Sequence, residues 1–190
     1  MAQIPKNYIR ELVPDRSRIL EAILFLIERG NELSQYDIVK AIFLADRSHL
    51  NKYGRPITFD NYVAMEHGPV PTFTYDTLKP DFDFKKYYNE ERPWVFLGDG
   101  NVNRFVEVKR GFDSSVLSKT DVEALDTALK IVSSLDFHQI KRLTHEDPAY
   151  VEAWDRRGRA ASSDMQMKLL VNEGDGEEVI EDLAYISRQA

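Results

Sequence analysis

The chain has 190 residues, 43% of them hydrophobic and 30% charged, and it contains no cysteine. Such a composition excludes a disordered chain, a disulfide scaffold, a cysteine-based zinc site and a thiol nucleophile. The 25 Lys and Arg against 32 Asp and Glu leave a net charge of −7, which argues against nucleic acid as a general partner and suits a basic protein partner.

The first predicted helix covers about 15–29 and stops at Gly30, expected as a left-handed cap. Ile19, Leu20, Ile23, Leu24, Leu26 and Ile27 form one stripe and Phe25 lies opposite, so a central helix is expected. A second helix is predicted from the N-cap Ser34 to Tyr53, with Asp37 in its first turn and Gly54 as terminator. Its apolar face includes Ile38, Val39, Ile42, Ala45, Leu50 and Tyr53, and Asp46 and His49 point into that same face as a buried polar pair.

Residues 58–65 alternate imperfectly and read as a short strand. In His67-Gly-Pro-Val-Pro71 each residue before a proline is pushed out of the helical region, so Gly68 and Val70 are expected to be extended. Pro71 fits the first position of a helix over about 71–79. Residues 80–91 have no period and read as loop; 94–97 and 104–108 read as strands joined by a hairpin turn at Gly98-Asp-Gly-Asn101.

Ser118 is expected to cap a third long helix to about Ser134, with Val122, Leu125, Ala128, Leu129, Val132 and Leu135 as its buried stripe. Asp136 with Gln139 opens a short helix, and Asp147-Pro148 opens another through Trp154. A last helix over about 177–187 should bury Val179, Ile180, Leu183 and Ile186. The sum is an α+β, mainly helical fold: a single domain with a small antiparallel hairpin in the middle. The longest apolar run is the six residues Ala22 to Ile27, too short for a membrane span, and the N-terminus has no apolar signal core, so a cytoplasmic protein is expected.

Catalytic signatures are sparse. There is no Walker loop, and Gly98-x-Gly100 has neither a third glycine nor a following helix. No metal site or cofactor is expected from the spacings. Asp46 and His49, three apart on a helix, allow two readings. They are a satisfied structural hydrogen bond, or they join Glu66, His67 or His145 in a metal or acid–base site of a small enzyme. Arg156, Arg157 and Arg159 form the basic cluster that a DNA-binding regulator would use; a solvated loop is the simpler reading. The Gly-Pro turn suggests a rigid loop presenting side chains to a partner, and Tyr62, Glu66, His67, Val70 and Tyr75 are its candidate binding residues.

Three segments together resemble one family. Tyr36-Asp-Ile-Val-Lys-Ala-Ile-Phe-Leu-Ala-Asp46 resembles the helix that opens the Panacea domain of SocA-like antitoxins, with Lys40 at the position of that family's lysine. Asn61-Tyr-Val-Ala-Met-Glu-His-Gly-Pro-Val-Pro71 resembles its most specific motif, Ala-Trp-x-Tyr-Gly-Pro-Val, and Leu117-Ser-x-x-Asp-Val-Glu-Ala-Leu-Asp126 followed by Leu143-Thr-His-Glu146 resembles its second half. The chain departs from the pattern where Ala64 or Met65 replaces tryptophan and where His67 stands in place of tyrosine; the aromatic after the Thr-His element is displaced to Tyr150 or Trp154. The resemblance spans about 34–154. It implies a Panacea-like domain over 1–160 with a C-terminal extension over 161–190, and a non-enzymatic antitoxin that binds a cognate toxin directly. It implies further that the toxin can be handed to an AAA+ protease, that some members are phage-associated, and that Lys40 and His145 join the partner-binding residues.

Overall fold

The structure, a computed structural model, describes residues 12–98 and 103–189. Its elements are α1 (Arg16–Arg29), β1 (Leu33–Ser34), α2 (Gln35–Tyr53), β2 (Tyr62–Met65), β3 (Gly68–Pro71), α3 (Thr72–Thr77) and α4 (Phe84–Tyr88). There follow β4 (Trp94–Gly98), β5 (Asn103–Val108), α5 (Lys119–Ser134), α6 (Phe137–His145), α7 (Pro148–Arg156), β6 (Ser163–Asp164), a 3-10 turn at Met167–Leu170, and α8 (Gly176–Ser187). This is the expected α+β, mainly helical architecture, with two three-stranded antiparallel sheets among the described residues, ordered β1-β5-β4 and β3-β2-β6. None of the described helices is long and apolar enough to cross a membrane.

The long helices start where the sequence supplies side-chain acceptors. Asp15 accepts from the Arg18 amide at the head of α1. Ser34 with Asp37 and Ser118 with Asp121 form reciprocal capping boxes on α2 and α5, and Asp136 with Gln139 does so on α6. Every residue of α1 from Ile19 to Ile27 is buried, and Phe25 meets Phe112 edge-on at 5.2 Å, as a central helix requires.

α2 is the common wall of two apolar clusters. Ile38, Val39, Ala41, Ile42 and Ala45 pack into the larger one with α1 and the Leu125, Ala128, Leu129 and Val132 stripe of α5. Phe43 and Leu50 pack into the second, with Tyr62 and Ala64 of β2, Ala149, Tyr150 and Ala153 of α7, and Met165, Met167, Leu170, Ile180, Leu183 and Ala184. Residues 163–184 therefore complete the core on the second flank of α2. Asn51 ties them down, donating to the Leu170 carbonyl at 2.8 Å and accepting from the Asn172 amide at 2.7 Å.

Several local expectations are corrected. Gly30 is extended (φ −82), not left-handed; glycine is needed there for space, since a Cβ would lie 2.5 Å from Leu33 Cδ1. Gly54 does take the left-handed cap at φ 76. The predicted strand over 58–65 shrinks to Tyr62–Met65, because the backbone at 57–60 bonds to side chains instead of a ladder. Gly68 pairs in the hairpin but at φ +104, and Pro71 is the N-cap of α3 instead of its first residue, since it still pairs with Tyr62. Within the predicted loop 80–91, Asp83 accepts from the Lys86 amide and nucleates the five-residue α4. β6, two residues long and paired to Val63 and Ala64, carries no periodic signal. Tyr53 is 41% exposed. The Gly98–Asn101 turn falls largely on residues outside the described ones, although β4 and β5 pair as expected.

The buried face of α8 also differs from the expected one: it comprises Ile180, Leu183, Ala184 and Ser187, whereas Ile186 is 53% exposed. Leu183→Ala is expected to cost about 2–4 kcal/mol in urea unfolding and Ile186→Ala less than about 0.5 kcal/mol, although helical periodicity alone ranks the two alike.

Candidate partner-binding site

β2 and β3 form a hairpin whose register runs from Tyr62↔Pro71 to Met65↔Gly68, so Glu66 and His67 make the turn between them. Both turn residues are exposed, while all four residues of β3 are buried. Below the turn lie buried polar and charged groups, and each is committed to backbone that shapes the hairpin.

Lys40, on α2, is 1% exposed; its ammonium donates to the Pro69 carbonyl at 2.7 Å and stands 5.2 Å from the Tyr36 ring. Burial pushes it down from 10.5 to about 7. Gly68 rests on it: a Cβ there would come 2.8 Å from Thr144 Oγ1 and 3.0 Å from Lys40 Nζ.

Asp60 holds the far end of the hairpin. Its carboxylate accepts from the amides of Phe73 at 3.0 Å and Thr74 at 2.7 Å, satisfying the open start of α3. Burial pushes this carboxyl up, against the pull of those amides. Residue-type patterns miss Asp60; the available signal is that Pro71 opens a helix without a capping side chain of its own.

Asp46 and His49 are buried as expected, at 2% and 1% exposure, but the pair divides. Asp46 accepts from the amides of Ile57 (2.8 Å) and Thr58 (3.0 Å), from the Thr58 hydroxyl, and from the Tyr62 hydroxyl (2.8 Å). Burial raises it to about 6, the four donors working against that rise. His49 Nδ1 donates to the Arg55 carbonyl at 2.8 Å, and Nε2 faces Thr120 Oγ1 at 3.0 Å and the Asp121 carboxylate at 3.1 Å. Burial lowers the His49 imidazole below its ordinary value. Burial pushes the Asp121 carboxyl up, but the Ser118 amide and hydroxyl and the Arg55 and Arg18 guanidiniums outweigh it and hold the group below the usual range. The two α2 side chains thus pin successive parts of the 55–62 segment, and neither presents a free acceptor outward.

The histidines proposed to complete an enzyme site have other neighbours. His67 packs on Phe137 at 5.4 Å, and His145 packs on Tyr150 at 4.3 Å. Burial, then the charges of Lys141, Lys40 and His67, lower His145 to about 4, and its buried Nε2 has no hydrogen-bond partner among the described residues. No three described His, Asp or Glu side chains gather as a metal site would need.

The other candidate residues separate by exposure. Tyr62 is 2% exposed and Val70 7%, so both support the hairpin from inside. Tyr75 is half-buried beneath the Lys79 ammonium, 4.8 Å from its ring. The surface around the turn instead includes Phe137, which sequence reasoning missed; it is 41% exposed, opens α6, and touches both His67 and, at 4.8 Å, Tyr36. Helical phase gives no signal for its exposure, since Phe137 shares a face with the buried Ile140 and Thr144. In the basic cluster, Arg156 is engaged with Glu152 and the Asp164 carbonyl, and Arg157 stacks 3.4 Å over the Trp154 ring.

The family model described as Antitoxin SocA-like, Panacea domain, matches residues 38–150, from the first turns of α2 into α7. No curated protein and no solved structure matches the chain.

Asp46→Ala leaves four buried donors unanswered and is expected to cost about 3–5 kcal/mol of stability in chemical denaturation. For Lys40 the unfolded chain holds the proton up to 10.5 and the folded chain only to about 7, so stability rises as pH climbs through that window. A difference on the order of 4 kcal/mol, read from urea midpoints between pH 7 and 10, should vanish in Lys40→Met.

Proposed function

The chain belongs to the SocA-like antitoxin family with a Panacea domain, and from that premise we propose that it neutralises a cognate toxin by direct contact through the Glu66–His67 turn and the adjoining face of α6. The observation that carries this reading is the contrast at the hairpin: an exposed turn mounted on a buried strand, braced by Lys40, Asp46 and Asp60. A loop held in one shape loses little conformational entropy on binding. Phe137 supplies an exposed aromatic beside the turn, the residue type that anchors interfaces.

The net charge of −7 speeds encounter with a basic toxin, and α8 carries part of it outward on Glu178, Glu181 and Asp182. The role is binding without turnover, which accords with Asp46 and His49 being enclosed and spent on the fold. Delivery of the captured toxin to an AAA+ protease extends the same reading in the cytoplasm. It is tested by the toxin's half-life with and without the antitoxin: faster decay supports delivery, unchanged decay removes it.

The reading is tested with Glu66→Ala, His67→Ala and Phe137→Ala combined, against the product of the adjacent open reading frame. Affinity is expected to fall about 30-fold or more, as loss of an interface anchor does, with the melting temperature held within about 2 °C because all three side chains are exposed. Wild-type affinity in the triple variant refutes the surface, and co-expression that neither rescues growth nor co-purifies a complex refutes the antitoxin role.

A further inference from the structure

We propose that Lys40 is the positioning residue for partner recognition: from inside the molecule it sets where the Glu66–His67 turn stands against α6, and it never touches the partner. This rests on the reading of that turn as the partner-facing surface. At 1% exposure the Lys40 side chain cannot reach across an interface. It reaches the turn instead.

β3 is an outer strand of its sheet, in the order β3-β2-β6, and two of its four residues are prolines. Proline has no N–H, and in a strand it sits with its backbone turned away from the ladder. The carbonyl of Pro69 therefore has no neighbouring strand to answer it, and the Lys40 ammonium supplies the donor, at 2.7 Å. One residue earlier, Gly68 at φ +104 lies against Lys40 Nζ and Thr144 Oγ1 so closely that a single added carbon would meet both. Lys40 comes from α2 and Thr144 from α6, so hairpin, α2 and α6 share one point of contact. α6 also carries Phe137, which packs on His67 at 5.4 Å. Both halves of the surface are thus referenced to the same ammonium. An apolar side chain would fill this volume without the cost of burying a charge. The distinctive contribution of lysine here is a directed donor.

Lys40→Met keeps the volume and deletes the donor. Hydrogen exchange at the amides of Glu66, His67, Gly68 and Val70 is expected to accelerate about tenfold or more while the α1 and α5 amides stay protected. Affinity for the product of the adjacent open reading frame is expected to fall by at least about tenfold. Because the chain has no cysteine, Lys40→Cys can be alkylated at that single site with 2-bromoethylamine in the unfolded state and refolded. The thiolate displaces bromide, and the resulting thioether carries an ammonium at nearly the lysine length. This form is expected to restore wild-type exchange and affinity, which mere filling of space would not require. Unchanged exchange in Lys40→Met overturns the proposal, and so does failure of the aminoethyl form to rescue. Faster exchange with unchanged affinity overturns it through the reading it rests on, since the turn would then lie outside the interface. If Lys40→Met does not fold, Gly68→Ala carries the test: it drives a methyl group onto Lys40 Nζ and Thr144 and must reproduce the same exchange pattern and loss of affinity, wild-type behaviour there being disproof.

Discussion

A helix covered by apolar neighbours on both flanks must satisfy any charge it carries from within the protein, and α2 carries Lys40, Asp46 and His49 at 2% exposure or less. Water is not available to them, so each must find a backbone or hydroxyl partner or revert to its neutral form. The partners all come from structure packed over α2: Pro69 for Lys40, Ile57, Thr58 and Tyr62 for Asp46, and Arg55 with Thr120 and Asp121 for His49. The path of the chain from 55 to 71 follows from that demand. This is why a stretch with little regular structure of its own arrives at one defined hairpin.

The same constraint separates what stabilises from what is presented. Side chains that secure the hairpin face inward and are closed to solvent, while Glu66, His67 and Phe137 face outward and contribute little to the fold. If the proposed partner docks on this face, it meets a surface already shaped, so contact energy is not consumed in ordering it. The arrangement also divides the polar residues by role: Lys40, Asp46, Asp60 and His49 are buried with displaced ionisation and bonded to neighbouring backbone, whereas Glu66 and His67 at the turn are exposed.

Much of this was legible in the residues. The caps at Ser34, Ser118, Asp136 and Asp147, the stripes of α1 and α5, and the left-handed Gly54 follow from local rules and appear where those rules place them. Burial of Asp46 and His49 was legible from helical phase, but their separate bonding was not, because phase gives direction and not the identity of the facing segment. Tyr62 and Val70 read as candidate contact residues because a strand alternation does not reveal which of its sides is covered, and here α7 and α2 cover both. Asp60 and Phe137 were missed for opposite reasons. Asp60 caps a helix that begins twelve residues downstream of it, beyond any local motif, and Phe137 shares a helical face with the buried Ile140 and Thr144, so its phase places it inward. α4 and β6 are too short to show a period.

The bond from Asn51 to the Leu170 carbonyl spans 119 residues, and it closes the flank of α2 formed by Phe43 and Leu50. At a translation rate of 5–20 residues per second, a ribosome takes roughly 6 to 24 seconds to cover that stretch. For that interval the nascent polypeptide carries an incompletely covered greasy ridge along α2. That side of α2 therefore cannot close until residues 163–184 have been made, however early the helix itself forms.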